Sequence, residues 1–289
     1  MATLKTAAMW FAQGLDRHGG GHAQSTLSAF LADDVVPWLN RPADADVRKR
    51  LHTEAARLVF VRARLYSDSG FHGAAQHYYA AALRLAQEAD DICTWAMILR
   101  GMSSQSLSLN HQRSALAYCE NAHAALPSTC STAIRSFIAA QLAVVRAASG
   151  ERRPALQALD DASEFSTEHH PSEDPFDTYS VAALAFQRAQ ALRLLGDTKA
   201  AIDALFVSSQ HRNPDDRRGL ALTHAARTKL LLRAGHVEEA CSSWQAFRIS
   251  AAGLQSTEAS KARAELRREF VPYRANSTVA ALFAGRRKP

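Results

Sequence analysis

The sequence predicts an all-α protein, a right-handed superhelix of about five helix hairpins with helical caps at both ends, and three observations predict it. First, 57 of the 289 residues are alanine, whereas valine and isoleucine together number 18. That usage favours helix and withholds from any sheet the β-branched residues that suit it. Second, a short motif recurs: Gly70, Gly150, Gly196 and Gly235 are each followed five residues later by an alanine (Ala75, Ala155, Ala201, Ala240), and Asn110 with Ala115 makes a fifth copy. These anchors stand 40, 40, 46 and 39 residues apart, near-equal spacing of the kind stacked structural repeats produce. Third, four residues beyond each alanine comes Tyr79, Cys119, Leu159, Leu205 or Trp244, and three further on Ala82, Ala122, Ala162, Ser208 or Phe247. Offsets of four and three put all three on one helical face.

Each unit therefore reads as helix, tight turn, helix. The glycine ends the first helix in a left-handed conformation that asparagine also tolerates, and the alanine lets the two helices approach closely. One such hairpin cannot bury its apolar face alone, so the units stack. The pattern resembles the tetratricopeptide repeat, whose usual unit is about 34 residues; the longer spacing here is assigned to longer helices and linkers. The expected organisation is an N-terminal cap over 1–50, repeats over 51–90, 91–126, 131–167, 178–210 and 216–253, and a C-terminal cap with a basic tail over 254–289. Leu126-Pro127-Ser128 and the run from Glu168 to Pro175 are read as loops, because their prolines break helices. Gly19-Gly20-Gly21 is read as a flexible joint before a helix from Ala23 to Leu39. Beyond Thr257 the pattern gives a charged helix to Phe270, a break at Pro272 and a short helix from Ser277 to Phe283.

Thirty-four Lys and Arg against 28 Asp and Glu give a net charge of +6. The excess is spread along the chain, a mild attraction to anions short of a nucleic-acid signature. Cys93, Cys119, Cys130 and Cys241 form no C-x-x-C pair, so they are expected to be reduced, buried thiols in a cytoplasmic protein. No apolar run approaches the 18 residues of a membrane span.

Motifs that could carry chemistry are weak. His18-Gly19-Gly20-Gly21 looks like the oxyanion loop of lipases and esterases, but the serine elbow that chemistry needs is missing. His169, His170, Glu173, Asp174 and Asp177 lack metal-ligand spacing and read as a polar loop. The pairs Asp33-Asp34, Asp90-Asp91, Asp160-Asp161 and Asp215-Asp216 read mostly as helix caps. No catalytic residue, metal or cofactor is expected.

Attention therefore falls on the concave face lined by each unit's first helix. A constant offset from the turn anchors places there Arg57, Phe60 and Arg64, then Met97, Arg100 and Ser104, then Phe137 and Val144. The later units add Phe186, Gln190 and Arg193, then Lys229 and Arg233. Aromatic floor and cationic walls suit a protein or peptide partner with an acidic group or a free C-terminal carboxylate. The alternative, equally open at this stage, puts the aromatics in the inter-repeat core and the arginines on a solvated face.

Several stretches add a resemblance: Leu15 to His22, Phe30 to Pro37, Asp68 to Asp91 with its Gln76-His77-Tyr78-Tyr79, and Val271 to Phe283. They resemble the C-terminal region of actinobacterial transcription regulators in which a Cro/repressor-type helix-turn-helix domain precedes tetratricopeptide-like repeats. In that family the DNA-binding domain precedes the His-Gly-Gly-Gly segment, where only about 17 residues stand here, fewer than a folded reader head needs. The resemblance implies a non-enzymatic interaction module in transcriptional regulation, not itself a sequence-specific DNA binder, with a homodimer as one assembly. Two alternatives are kept: a ligand-responsive regulator touching nucleic acid through Arg48-Lys49-Arg50 or Arg286-Arg287-Lys288, and an enzyme whose site is spread over the repeats. A hinge is expected at Glu168 to Thr178, between units one to three and units four and five.

Overall fold

In the computed structural model, which describes residues 2–167 and 176–284, helix dominates and no strand forms among the described residues. The hairpins pair α4 (Ala45–Asp68) with α5 (His72–Glu88), α6 (Ile92–Ser108) with α7 (Gln112–Ala125), and α8 (Thr132–Ala148) with α9 (Arg152–Thr167). The later two pair α10 (Val181–Leu194) with α11 (Thr198–His211) and α12 (Arg217–Arg233) with α13 (Val237–Ser250). Preceding them are α1 (Ala2–His18), α2 (Gln24–Phe30) and α3 (Val36–Leu39). Following them are α14 (Thr257–Glu269) and α15 (Ser277–Ala284). Each hairpin packs on the next, so the chain forms the right-handed solenoid that the repeat pattern predicts.

The repeat residues do what their spacing requires. Gly70, Asn110, Gly150, Gly196 and Gly235 all have positive φ, between 63° and 84°. The alanines five residues on are each 0% exposed, and the larger residues and their partners three further on are all buried. Several hairpins are also capped from the sequence: Asp91 accepts from Thr94 N–H at 2.9 Å, Asp216 from Gly219 N–H at 2.8 Å, and Asp44 from Val47 N–H at 2.8 Å. The carboxylates there meet the positive ends of helix dipoles, as the acidic-pair reading expects for Asp91 and Asp216.

Three expectations are corrected. The helix after the glycines is not uniform, because its backbone widens into a π-type segment, Leu31–Val35, just before Pro37. Proline has no N–H to give an α-helical ladder, and the wider turn absorbs that loss.

The glycine run, expected to be a flexible joint, is a packed wedge. Gly21 N–H donates to Gln255 O and Gln255 N–H to His18 O, both at 2.8 Å. A Cβ on Gly19, whose φ is +87°, would stand 2.8 Å from the Gln255 backbone, and one on Gly20 would collide with the Leu65 carbonyl oxygen. Gly20→Ala is therefore expected to cost about 1–3 kcal/mol, since neither backbone can give way. Urea unfolding checks it against Gly14→Ala, whose added Cβ meets nothing nearer than 3.9 Å.

The cysteines are not all reduced. Cys93 and Cys130 are joined by a disulfide, with Cα atoms 5.8 Å apart, while Cys119 and Cys241 are free and buried. Their 37-residue separation hides the pairing from motif inspection; stacking brings the start of α6 beside the loop before α8. The bond removes the thiols as an argument for a reducing compartment. Among the described residues no helix is long and apolar enough to cross a membrane.

Candidate functional site

The expected caps do more than cover ends. α1 lies on α4 and also reaches α12, while α14 packs on α12, so the first and fifth hairpins are drawn together around the superhelix axis. Asp68 and Arg218 hold the closure. Asp68, 2% exposed at the end of α4, accepts from Gly20 N–H at 2.7 Å, from Arg218 Nε at 2.6 Å and from Ser256 Oγ at 2.9 Å. Arg218 also reaches Glu258 at 2.6 Å, and Thr257 Oγ1 donates to Ser69 O at 2.9 Å. For Arg218 burial is the largest influence and works against the charge; Glu258 and Asp68 together outweigh it and hold the pKa above the ordinary value.

This closure turns the expected open groove into a half-enclosed cavity of about 420 Å³. Phe60, Tyr79, Met97, Phe137 and Phe176 give it an apolar lining, and Arg64, Arg100, Arg212, Arg218, Asp16, Asp68, Asp216 and Glu258 give it charge. A second recess, between α1 and the α11–α12 turn, shares Asp16, Thr178, Ser180 and Asp216 with it and carries the exposed Trp10. It forms a vestibule to the cavity.

The carboxylates of the cavity are engaged. Arg212 donates to Asp216 at 2.6 Å, Arg218 serves Asp68 and Glu258, and Arg64 stands 3.9 Å from Asp16. Burial pushes the Asp16 carboxyl up, with Arg64 the strongest opposing influence. Among the described residues, no group of three or more His, Cys, Asp and Glu side chains is placed to hold a metal ion.

Six of the thirteen residues placed on the concave face by sequence line this cavity: Phe60, Arg64, Met97, Arg100, Ser104 and Phe137. Arg57 sits beside it, its guanidinium 5.4 Å from the centre of the Phe176 ring. The others lie elsewhere. Val144 is core at 4% exposure, and Phe186 packs against the fourth hairpin's core. Gln190 accepts from the exposed Arg193 at 3.2 Å, while Lys229 and Arg233 pair with Glu265 and Glu269 of α14. The cavity does not meet the successive first helices at one level, because the superhelix winds. The cavity meets α4 near its C-terminal end (Phe60 to Asp68), α6 from its middle onward, and α8, α10 and α12 near their N-termini (Ile134, Ala183, Gly219).

Sequence reasoning missed Tyr79, Tyr179, Asp16, Arg212 and the closure residues. Tyr79 carried a signal, as the bulky residue of the first repeat. Burial raises its phenol to about 12, against the pull of Arg64 and Arg100. His169, His170, Glu173 and Asp174 of the segment read as a polar loop lie outside the described residues, as does most of the expected hinge.

No protein-family model matches the chain, and no curated protein matches it. Among solved structures it is similar to a Rap protein complexed with competence and sporulation factor, with TM-score 0.54 at 12% identity over 99% of this chain and 97% of that one. It is also similar to a chain of the APC/C hetero-tetramer Cut9-Hcn1, with TM-score 0.49 at 17% identity over 92% of this chain. There it spans about half the length of its neighbour, 46%. Identities this low speak for the fold, which is that of a tetratricopeptide-like helical-repeat protein.

Proposed function

We propose that this chain is a non-enzymatic regulatory module that takes a short segment of a peptide or protein partner into its axial cavity. The observation that carries the reading is the cavity itself: about 420 Å³, within the range of roughly 300–1,000 Å³ that binding sites occupy, apolar on its floor and charged on its walls. A structural neighbour of almost the same length is a Rap protein complexed with competence and sporulation factor, which supports ligand binding by this architecture. The sequence resemblance to actinobacterial regulators supports a role in transcriptional regulation. Of the basic residues the nucleic-acid alternative names, Lys49 pairs with Asp90 at 2.5 Å and Arg50 Nε reaches Asp46 O at 3.4 Å, and Arg286 to Lys288 lie outside the described residues.

The test is partner capture from the native host, identified by mass spectrometry, followed by titration of the purified partner. Ser104 lines the cavity from the middle of α6 and is only partly buried, so Ser104→Trp fills space without dismantling a packed core. Partner affinity is expected to fall by about a hundredfold, equivalent to about 2.7 kcal/mol, with the melting temperature unchanged. Undiminished binding by a folded Ser104→Trp protein overturns the cavity reading.

A further inference from the structure

Among the described residues of the cavity, one cation has no carboxylate. Arg64, Arg212 and Arg218 each face an acid, but Arg100 has none. Its buried Nε has no hydrogen-bond partner, and its guanidinium lies over the Phe137 ring, 4.0 Å from the centroid. After burial, which lowers its pKa, the groups acting on it most strongly are Tyr179, Cys119, a second cation Arg64, and Tyr79. No carboxylate of a described residue is in that set. Close by, Tyr179 packs on the same Phe137 ring, with centroids 5.3 Å apart. It is 7% exposed, and its buried hydroxyl also has no partner.

A half-buried cation whose Nε is buried without a partner and an unpaired buried hydroxyl are both costly to maintain. Here they stand together in one wall of one cavity. The Phe137 ring lies against the Arg100 guanidinium without taking its terminal N–H donors, which stay available for a planar acceptor such as a carboxylate, bound by arginine through two parallel hydrogen bonds. The Tyr179 O–H adds a neutral donor, and Phe60, Met97 and Ile134 line the space beside them.

We infer that Arg100 and Tyr179 form an oxyanion subsite for a ligand that presents a carboxylate next to an apolar group, the C-terminus of a short peptide ending in a large apolar residue being the best fit. This inference rests on the cavity reading and assigns the end of the ligand that enters deepest. The peptide source is favoured over a free small acid because the adjoining vestibule continues the cavity outward past Trp10 and His22, giving an extended chain somewhere to run.

Calorimetric titration of the whole chain with four probes tests it: the tripeptide Ala-Ala-Phe, its C-terminal amide, 3-phenylpropanoate and 3-phenylpropanamide. Each acid is expected to bind at least about tenfold more tightly than its amide, the difference one charge-assisted hydrogen bond supplies. Arg100→Met should abolish that preference while leaving the melting temperature equal or higher, because it removes a half-buried cation with an unpartnered buried Nε. Tyr179→Phe should reduce the preference by about threefold to tenfold. A tripeptide acid tighter than 3-phenylpropanoate supports the peptide source; the reverse order keeps the subsite and overturns that source. Acids and amides binding equally overturn the subsite and leave the cavity reading standing. No binding by any probe, in a protein whose captured partner is still lost on Ser104→Trp, overturns the carboxylate assignment alone. Retention of acid preference in a folded Arg100→Met protein overturns the role of Arg100.

Discussion

Asp68→Ala is expected to destabilise the protein by about 3–5 kcal/mol, the loss seen when one partner of a buried, hydrogen-bonded ion pair is removed and the other is left without its charge. Asp68 receives three hydrogen bonds from residues 48, 150 and 188 positions away, so a single carboxylate fastens the N-terminal turn, the last hairpin and the start of α14 to the first hairpin. Losing it also strips Gly20 N–H of its acceptor. Urea unfolding gives the magnitude, and a loss below about 1 kcal/mol would show that the closure contributes little. A cycle with Arg218→Met separates the pair from its surroundings: the double variant should recover part of the loss, because neither charge is then stranded. X-ray scattering adds the structural readout, with larger dimensions for Asp68→Ala below its unfolding transition. The same network bears on motion. A large change of angle between the first hairpin and the fifth would strain the contacts at Asp68.

Much of the fold was legible in the sequence because repeats write themselves locally. A left-handed turn demands glycine or asparagine, and a close helix crossing demands alanine five residues later; both constraints fall within one hairpin and recur five times. Counting from those anchors reaches the cavity in the first three units, where Phe60, Arg64, Met97, Arg100, Ser104 and Phe137 line it, and misses it in the last two, where Gln190, Arg193, Lys229 and Arg233 lie away from it. Superhelical winding shifts each successive first helix along the axis, and no residue in a single unit records that shift. The closure was illegible for a different reason. Asp68 resembles any acidic residue near a helix end, and its importance comes from partners brought in from the far end of the chain. The glycine run misled in the same way, since close packing and flexibility both call for glycine.

Loss of the Cys93–Cys130 bond, by reduction or by replacing both cysteines with serine, is expected to cost about 4 kcal/mol, from the chain-entropy relation for a loop of 37 residues. Unfolding midpoints with and without reductant measure it; the Cys119→Ser/Cys241→Ser variant must show the same reductant effect, and equal midpoints would sink the expectation. A functional consequence follows from position. Arg100 lies seven residues beyond Cys93 on α6, and Phe137 seven residues beyond Cys130, on α8. Seven residues are about two helical turns, so the bond ties α6, two turns before Arg100, to the loop that leads into α8 ahead of Phe137, where the Arg100 guanidinium meets the Phe137 ring. Breaking the bond frees the two helices to slide at their N-terminal ends and loosens the guanidinium on its ring. Reduced protein should therefore bind 3-phenylpropanoate several-fold more weakly than oxidised protein, while its affinity for 3-phenylpropanamide changes little, because the amide draws on the apolar lining more than on the oriented N–H donors. Equal weakening of both would mean that the bond supports the cavity as a whole and does not set the orientation of Arg100.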